Sequence, residues 1–164
     1  MKKLIALLVL SISAVFAQSA PSLKNEVFGS AGLSFPRTPA ITSTFSATAG
    51  YGRTVAVESF GSTEVIGTYN FTRQTPTGGV HSFLGGVKQN VVSPLKGVTP
   101  FLTLQVGEAT LLKKTNFATQ VGGGVRFTNV LPKGFGLDLG VTGTKIRDAK
   151  PMFAGVSVGI SKSF

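Results

Sequence analysis

Between Glu26 and the end of the chain, apolar residues recur at every second position, and the positions between them are small or polar. A period of two puts successive side chains on opposite faces, so each run predicts a strand with one apolar and one polar face. Val27, Gly29, Ala31, Leu33 and Phe35 oppose Glu26, Phe28, Ser30, Gly32 and Ser34, until Pro36-Arg37-Thr38-Pro39 breaks the run. Ile41, Phe45, Ala47, Ala49 and Tyr51 repeat the pattern against Thr42, Thr44, Ser46, Thr48 and Gly50, and Gly52-Arg53 then reads as a tight turn.

The third segment has two readings. Thr54 to Phe60 and Glu64 to Thr72 are either two short strands or one long strand bent at Gly61. Val55, Val57, Val65, Gly67, Tyr69 and Phe71 all keep odd parity, which favours one. Beyond it, Phe83, Gly85 and Val87 alternate with Ser82, Leu84, Gly86, Lys88 and Asn90; Leu102, Leu104 and Val106 alternate with Phe101, Thr103 and Gln105. The polar run from Glu108 to Asn116 is expected to end that hairpin. Phe117 to Phe127, Phe135 to Thr144 and Met152 to Phe164 supply the remaining strands. With the third segment counted once there are eight, and the residues from Gln18 onward then match the spacing of the smallest membrane barrels. The fold expected is all-β: an eight-stranded antiparallel up-and-down transmembrane β-barrel.

The polar face decides which side is out. A soluble barrel would clothe its exterior in Lys and Glu, whereas this face is mostly Gly, Ser, Thr and Ala, with Glu26, Glu58, Glu64, Lys88, Gln105, Gln120, Arg126 and Asp138 interspersed. Small residues suit the crowded interior of eight strands. Charges on the apolar parity are Lys145 and Lys162, both near strand ends where a lysine snorkels to the interface. Aromatic residues on that parity form two rims: Phe35, Tyr69, Phe71, Phe83 and Phe117, against Tyr51, Phe127, Phe135 and Phe164.

The first residues are of another kind. Lys2 and Lys3 precede an apolar run from Leu4, and Val15-Phe16-Ala17 carries small residues at the −3 and −1 positions of a signal peptidase site. Residues 1–17 therefore read as a cleaved secretory signal and 18–164 as the barrel domain. A cut after Ala20 would leave Pro21 first, and a retained anchor would be shorter than the ~20 residues a spanning helix needs. The whole chain has 16 Lys and Arg against 6 Asp and Glu, and no Cys. Such a basic balance often marks a nucleic-acid partner, but an exported chain meets anionic lipid and lipopolysaccharide phosphate instead. Without Cys there is no disulfide framework, thiolate metal site or lipidation point.

Chemistry-bearing residues are sparse. His81 shares the outward parity of Phe83 at a strand end and reads as a rim residue; no HxxxH or acidic loop accompanies it, and neither a catalytic constellation, a cofactor nor a metal is expected. Gly122 to Gly124 sits inside an alternating strand with no Lys-Ser/Thr after it, so it reads as close packing rather than a phosphate loop. Asn70-Phe71-Thr72 matches a glycosylation sequon without special meaning here. The inward set Glu58, Glu64, Lys88, Gln105, Gln120, Arg126 and Asp138 either plugs the lumen by mutual pairing or lines a narrow channel for small solutes or ions, and the plug is favoured. If odd strands run outward, the loops after strands one, three, five and seven hold Arg37, Arg73, Lys113, Lys114, Arg147 and Lys150, a basic collar facing lipopolysaccharide; the opposite turns hold Arg53, Lys96 and Lys133.

Phrases such as "ATAGYGRTVAVE", "VTPFLTLQVG" and "FATQVGGGVRF" resemble the recurrent hairpins of small Gram-negative outer-membrane β-barrels, of OmpA and OmpX type. Phe164 resembles the C-terminal assembly signal of that family, although Lys162 stands where an apolar residue is usual. The resemblance implies an outer-membrane location, insertion by the barrel-assembly machinery and a monomer. Function is then expected to be structural or surface-interacting rather than enzymatic.

Overall fold

The structure, a computed structural model, describes residues 24–36, 44–74, 78–111, 113–147 and 152–164. The stretch expected to be a secretory signal lies outside these residues. Eight strands follow one another: β1 (Asn25–Pro36), β2 (Thr44–Glu58), β3 (Gly61–Gln74), β4 (Gly78–Val91), β5 (Val98–Leu111), β6 (Lys114–Phe127), β7 (Phe135–Ile146) and β8 (Met152–Ser163). Each pairs antiparallel with the next and β8 returns to β1, closing the barrel. The seam is completed by reciprocal backbone bonds, Asn25 N–H to Phe164 C=O at 2.9 Å and Phe164 N–H to Asn25 C=O at 3.0 Å. Closure leaves no unpaired edge, the condition for strands to cross hydrocarbon.

The parity assignment holds around the circle except past the bulge in β2. Leu33, Leu102, Val121, Val141, Val158 and Ile160 are exposed on the outside, while Glu26, Thr54, Glu64, Lys88, Gln105 and Arg126 are buried within. A soluble core is thereby inverted. The start of β1 and the end of β8, with the β2–β3, β4–β5 and β6–β7 turns, mark one end of the barrel, here the terminal end. The other four connections mark the loop end.

Two local expectations are corrected. The strand does not turn at Gly52-Arg53, because Gly52 pairs with Glu26 and Ile66, and Arg53 with Asn25 and Val65. Gly52 is there for space: a Cβ would approach Ile66 Cγ2 to 3.0 Å and Glu64 Oε2 to 3.3 Å. The turn falls at Ser59-Phe60, after a bulge between Thr54 and Ala56, so the third segment belongs to two strands. Paired residues such as Gly52 and Ile66 share parity, so alternation alone does not separate a bent strand from a hairpin. Likewise the polar run at Glu108 to Asn116 stays in the sheet, Glu108 pairing with Phe117 and Leu111 with Lys114. Lys113 in that tight hairpin has φ 63°, a left-handed conformation that glycine or asparagine usually occupies.

Candidate functional site

At the terminal end of the lumen, inward positions of five strands bring their charges together. Glu26 from β1 lies at the centre. Its Oε1 accepts hydrogen bonds from Lys88 Nζ at 2.7 Å and Arg126 Nη2 at 2.8 Å, and its Oε2 accepts one from Arg126 Nη1. Arg126 is also held by Asp138, Nε to Oδ1 at 2.7 Å and Nη2 to Oδ2 at 2.8 Å. The planar fork of one guanidinium thus holds two carboxylates with two hydrogen bonds each, a paired geometry that the point-like ammonium does not offer. Glu64 stands 3.6 Å from Lys88 through Oε2 and accepts from Asn90 Nδ2 through Oε1 at 2.6 Å. Three carboxylates therefore face two cations. Burial makes the pairs unequal to surface ones: removing one partner would leave a charge stranded.

Glycines and aromatics shape this layer. Phe28 and Phe101 point inward, and Lys88 Nζ lies 5.7 Å and 5.2 Å from their ring centroids. A Cβ on Gly50 would meet the Phe28 ring at 2.3 Å, and one on Gly124 would meet Phe101 at 2.7 Å and the Leu139 carbonyl at 2.1 Å. The triple glycine thus makes room for a ring and a neighbouring strand.

Toward the loop end lies a cavity of about 150 Å³, with Lys88 and Asp138 on its wall and Ser30, Thr48, Thr103 and Ser157 among its hydroxyls. Side-chain rungs cross this region: Gln105 with Thr68 at 3.2 Å, Gln120 Nε2 to Thr144 Oγ1 at 2.9 Å, and Thr48 Oγ1 to Asn70 Oδ1 at 2.8 Å. Nearer the loop end the lining becomes apolar, with Val80, Leu84, Ala109, Ala118, Ile146 and Phe153 packed inward.

Of the charged positions expected in the lumen, Glu64, Lys88, Arg126 and Asp138 meet; Gln105 and Gln120 line it. Glu58 does not join them. Past the bulge it pairs with Gly61 at the hairpin tip and is exposed. Sequence reasoning placed Glu26 on the polar parity but not at the hub. The apolar cluster was not anticipated, although Val80, Leu84 and Ile146 share inward parity with polar neighbours.

At the loop end, Arg73, Lys113, Lys114 and Arg147 are exposed. The Arg147 N–H donates to the Phe117 carbonyl at 2.7 Å, fixing that corner. Arg37 and Lys150 lie outside the described residues. His81 faces outward, its Nδ1 2.6 Å from the Tyr69 hydroxyl and its ring 5.0 Å from that of Phe71. Among the described residues, no three His, Cys, Asp or Glu side chains are grouped to hold a metal.

Closed topology, an apolar exterior and a polar lumen describe a barrel built for a bilayer. Neisserial surface protein A superposes with a TM-score of 0.61 at 15% identity, over 90% of this chain and 100% of that one. The chain has the fold of the small outer-membrane β-barrels. Ail, the attachment invasion locus protein of Yersinia pestis, solved in complex with the heparin analogue sucrose octasulfate, matches at TM-score 0.59 and 14% identity, over 88% and 100% of the two chains. The outer-membrane enzyme PagL matches at 0.55 and 14%, over 84% and 98%. No family model matches this sequence, and no curated protein matches it. The shared fold therefore hosts both surface proteins and an enzyme, and residues must separate the two.

Proposed function

We propose that this outer-membrane barrel is a structural and surface-interaction protein without catalytic activity, its lumen plugged by side chains and its loop-end rim turned toward lipopolysaccharide. The observation that carries the plug is the Glu26–Arg126–Asp138 bridge with Lys88 and Glu64 beside it, spanning the lumen at its terminal end. A narrow channel for small solutes or ions is the second reading. The cavity beside Lys88 and Asp138 favours it, and single-channel recording separates the two.

For the rim, Arg73, Lys113, Lys114 and Arg147 are exposed at the loop end; Arg37 and Lys150, the other two cations of the expected collar, lie outside the described residues. A cation near an anionic headgroup surface gains about 1 kcal/mol. That Ail, a barrel of the same fold, has been solved with a polysulfated ligand supports a polyanionic partner for this one. The only described histidine is bonded to a tyrosine on the lipid-facing side, which speaks against an esterase-like site there. Neutralising Lys113, Lys114, Arg147 and Lys150 together is expected to weaken lipopolysaccharide association at low salt and to remove its salt dependence. Equal binding by the variant and the parent at low salt would contradict the rim's role. Insertion by the barrel-assembly machinery and a monomeric state belong to the same proposal.

A further inference from the structure

The outward face of the seam, at the terminal end, carries charges that the lumen network does not use. Register sets Tyr51, Val27, Lys162 and Phe135 side by side on β2, β1, β8 and β7. One row nearer the end, Arg53 stands beside Asn25, which is bonded to Phe164. Strands lie about 4.8 Å apart, so Arg53 and Lys162 flank β1 at roughly 12 Å between their Cα atoms, within reach of one headgroup. Both are exposed, and among the described residues neither forms an ion pair. Lys162 Nζ rests 5.1 Å from the Phe135 ring centroid, and the Tyr51 hydroxyl donates to Asn25 Oδ1 at 2.6 Å. Lys24, whose carbonyl accepts from Thr54, and Lys133, next to the Gly134 that accepts from Ser163, extend the basic ground on either side. Of the acidic residues of this end, Glu26, Glu64 and Asp138 face into the lumen, and Glu58 is exposed at the tip of the β2–β3 hairpin, five residues beyond Arg53.

Toward mid-barrel from these cations the surface is hollow. Gly29 pairs with Ala49, and Ala31 with Ala47, so two adjacent strands present only small outward residues. A Cβ at Gly29 would meet only the Thr48 carbonyl, at 3.7 Å. Bulkier residues bank both sides, Ile160 and Val158 on β8, Tyr69 and Phe71 on β3. The hollow is two strands wide and two rows long; Leu33 and Phe45 close it toward the loop end, while on the other side Lys162 adjoins it beside Val27 and the Val27–Tyr51 row separates it from Arg53.

We propose that this seam is a docking site for one anionic glycerophospholipid, its phosphate held between Arg53 and Lys162 and its acyl chains lying along Gly29, Ala31, Ala47 and Ala49. Charge selects the headgroup and the hollow selects a lipid over a free anion. The site lies at the barrel end opposite the loop-end rim and does not depend on the function proposed for that rim.

The test is native mass spectrometry of the purified chain released from micelles containing phosphatidylglycerol and phosphatidylcholine in equal amount. Phosphatidylglycerol is expected to be retained about fivefold or more over phosphatidylcholine, the gain that one well-placed cation supplies. Arg53→Gln/Lys162→Gln is expected to abolish that preference, Gly29→Leu to reduce retention of both lipids, and Lys113→Gln/Lys114→Gln to change neither. Inorganic phosphate in excess is expected not to displace the lipid. Equal retention of the two lipids by the unaltered chain overturns the proposal, and this comparison does not require any variant to fold. Unchanged preference in the double variant, or displacement by phosphate alone, overturns it as well.

Discussion

Arg126 and Glu26, 100 residues apart in sequence, meet across the lumen through two hydrogen bonds, and the same guanidinium grips Asp138 on the adjacent strand. One side chain thereby ties β1, β6 and β7 in the interior, in addition to the backbone ladders around the wall. Arg126→Gln is expected to leave Glu26 with Lys88 alone and Asp138 unpaired, destabilising the barrel by about 3–5 kcal/mol. Urea unfolding in lipid vesicles measures it. A loss below about 1 kcal/mol would mean that water screens this layer far more than its burial implies.

The glycines give a contrast that needs no charge. A Cβ on Gly124 would strike the Leu139 carbonyl at 2.1 Å, whereas one on Gly67, facing outward, meets nothing within 4 Å. Gly124→Ala is expected to cost about 1–3 kcal/mol through overpacking. Gly67→Ala is expected to be neutral or to gain up to about 1 kcal/mol by restricting the unfolded chain. Similar stabilities for the two variants would contradict the inward and outward assignment of these strands.

The alternation along the sequence was enough to name eight strands and to decide which face meets lipid, because a period of two is a local property. What failed was whatever depends on register. Glu58 shares parity with Glu64 in sequence, yet one bulge at Thr54 and Ala56 moves it out of the lumen. Glu26 was visible as an inward charge, but its height relative to Lys88 and Arg126 is set by how the strands stagger around the barrel, which no single strand encodes. Gly52 looked like a turn because glycine serves both turns and close approaches, and only the nearby Ile66 and Glu64 side chains tell which.

Lys113 is a site where the chain is held against its preference. Its φ of 63° lies in the left-handed region, which costs a side-chain-bearing residue roughly 1–2 kcal/mol. Lys113→Gly is expected to raise stability by about 1 kcal/mol in vesicle unfolding while removing one charge from the loop-end rim. No gain in stability would indicate that the hairpin relaxes to another turn in solution.

A closed barrel resists detergent until heated. Unboiled and boiled samples are expected to migrate differently in SDS, with Arg126→Gln losing the folded band at a lower temperature than the parent. Identical mobility before and after boiling, from a membrane extract, would contradict a closed sheet.

If the Glu26, Lys88, Arg126 and Asp138 side chains shut the lumen as proposed, planar-bilayer recording of the purified chain reads it directly. The unaltered barrel is expected to give a flat baseline, and Arg126→Ala, which removes the bridge, to give discrete ionic steps. Reproducible conductance steps from the unaltered chain, of the same size as those of the variant, would contradict the plug and establish the channel instead.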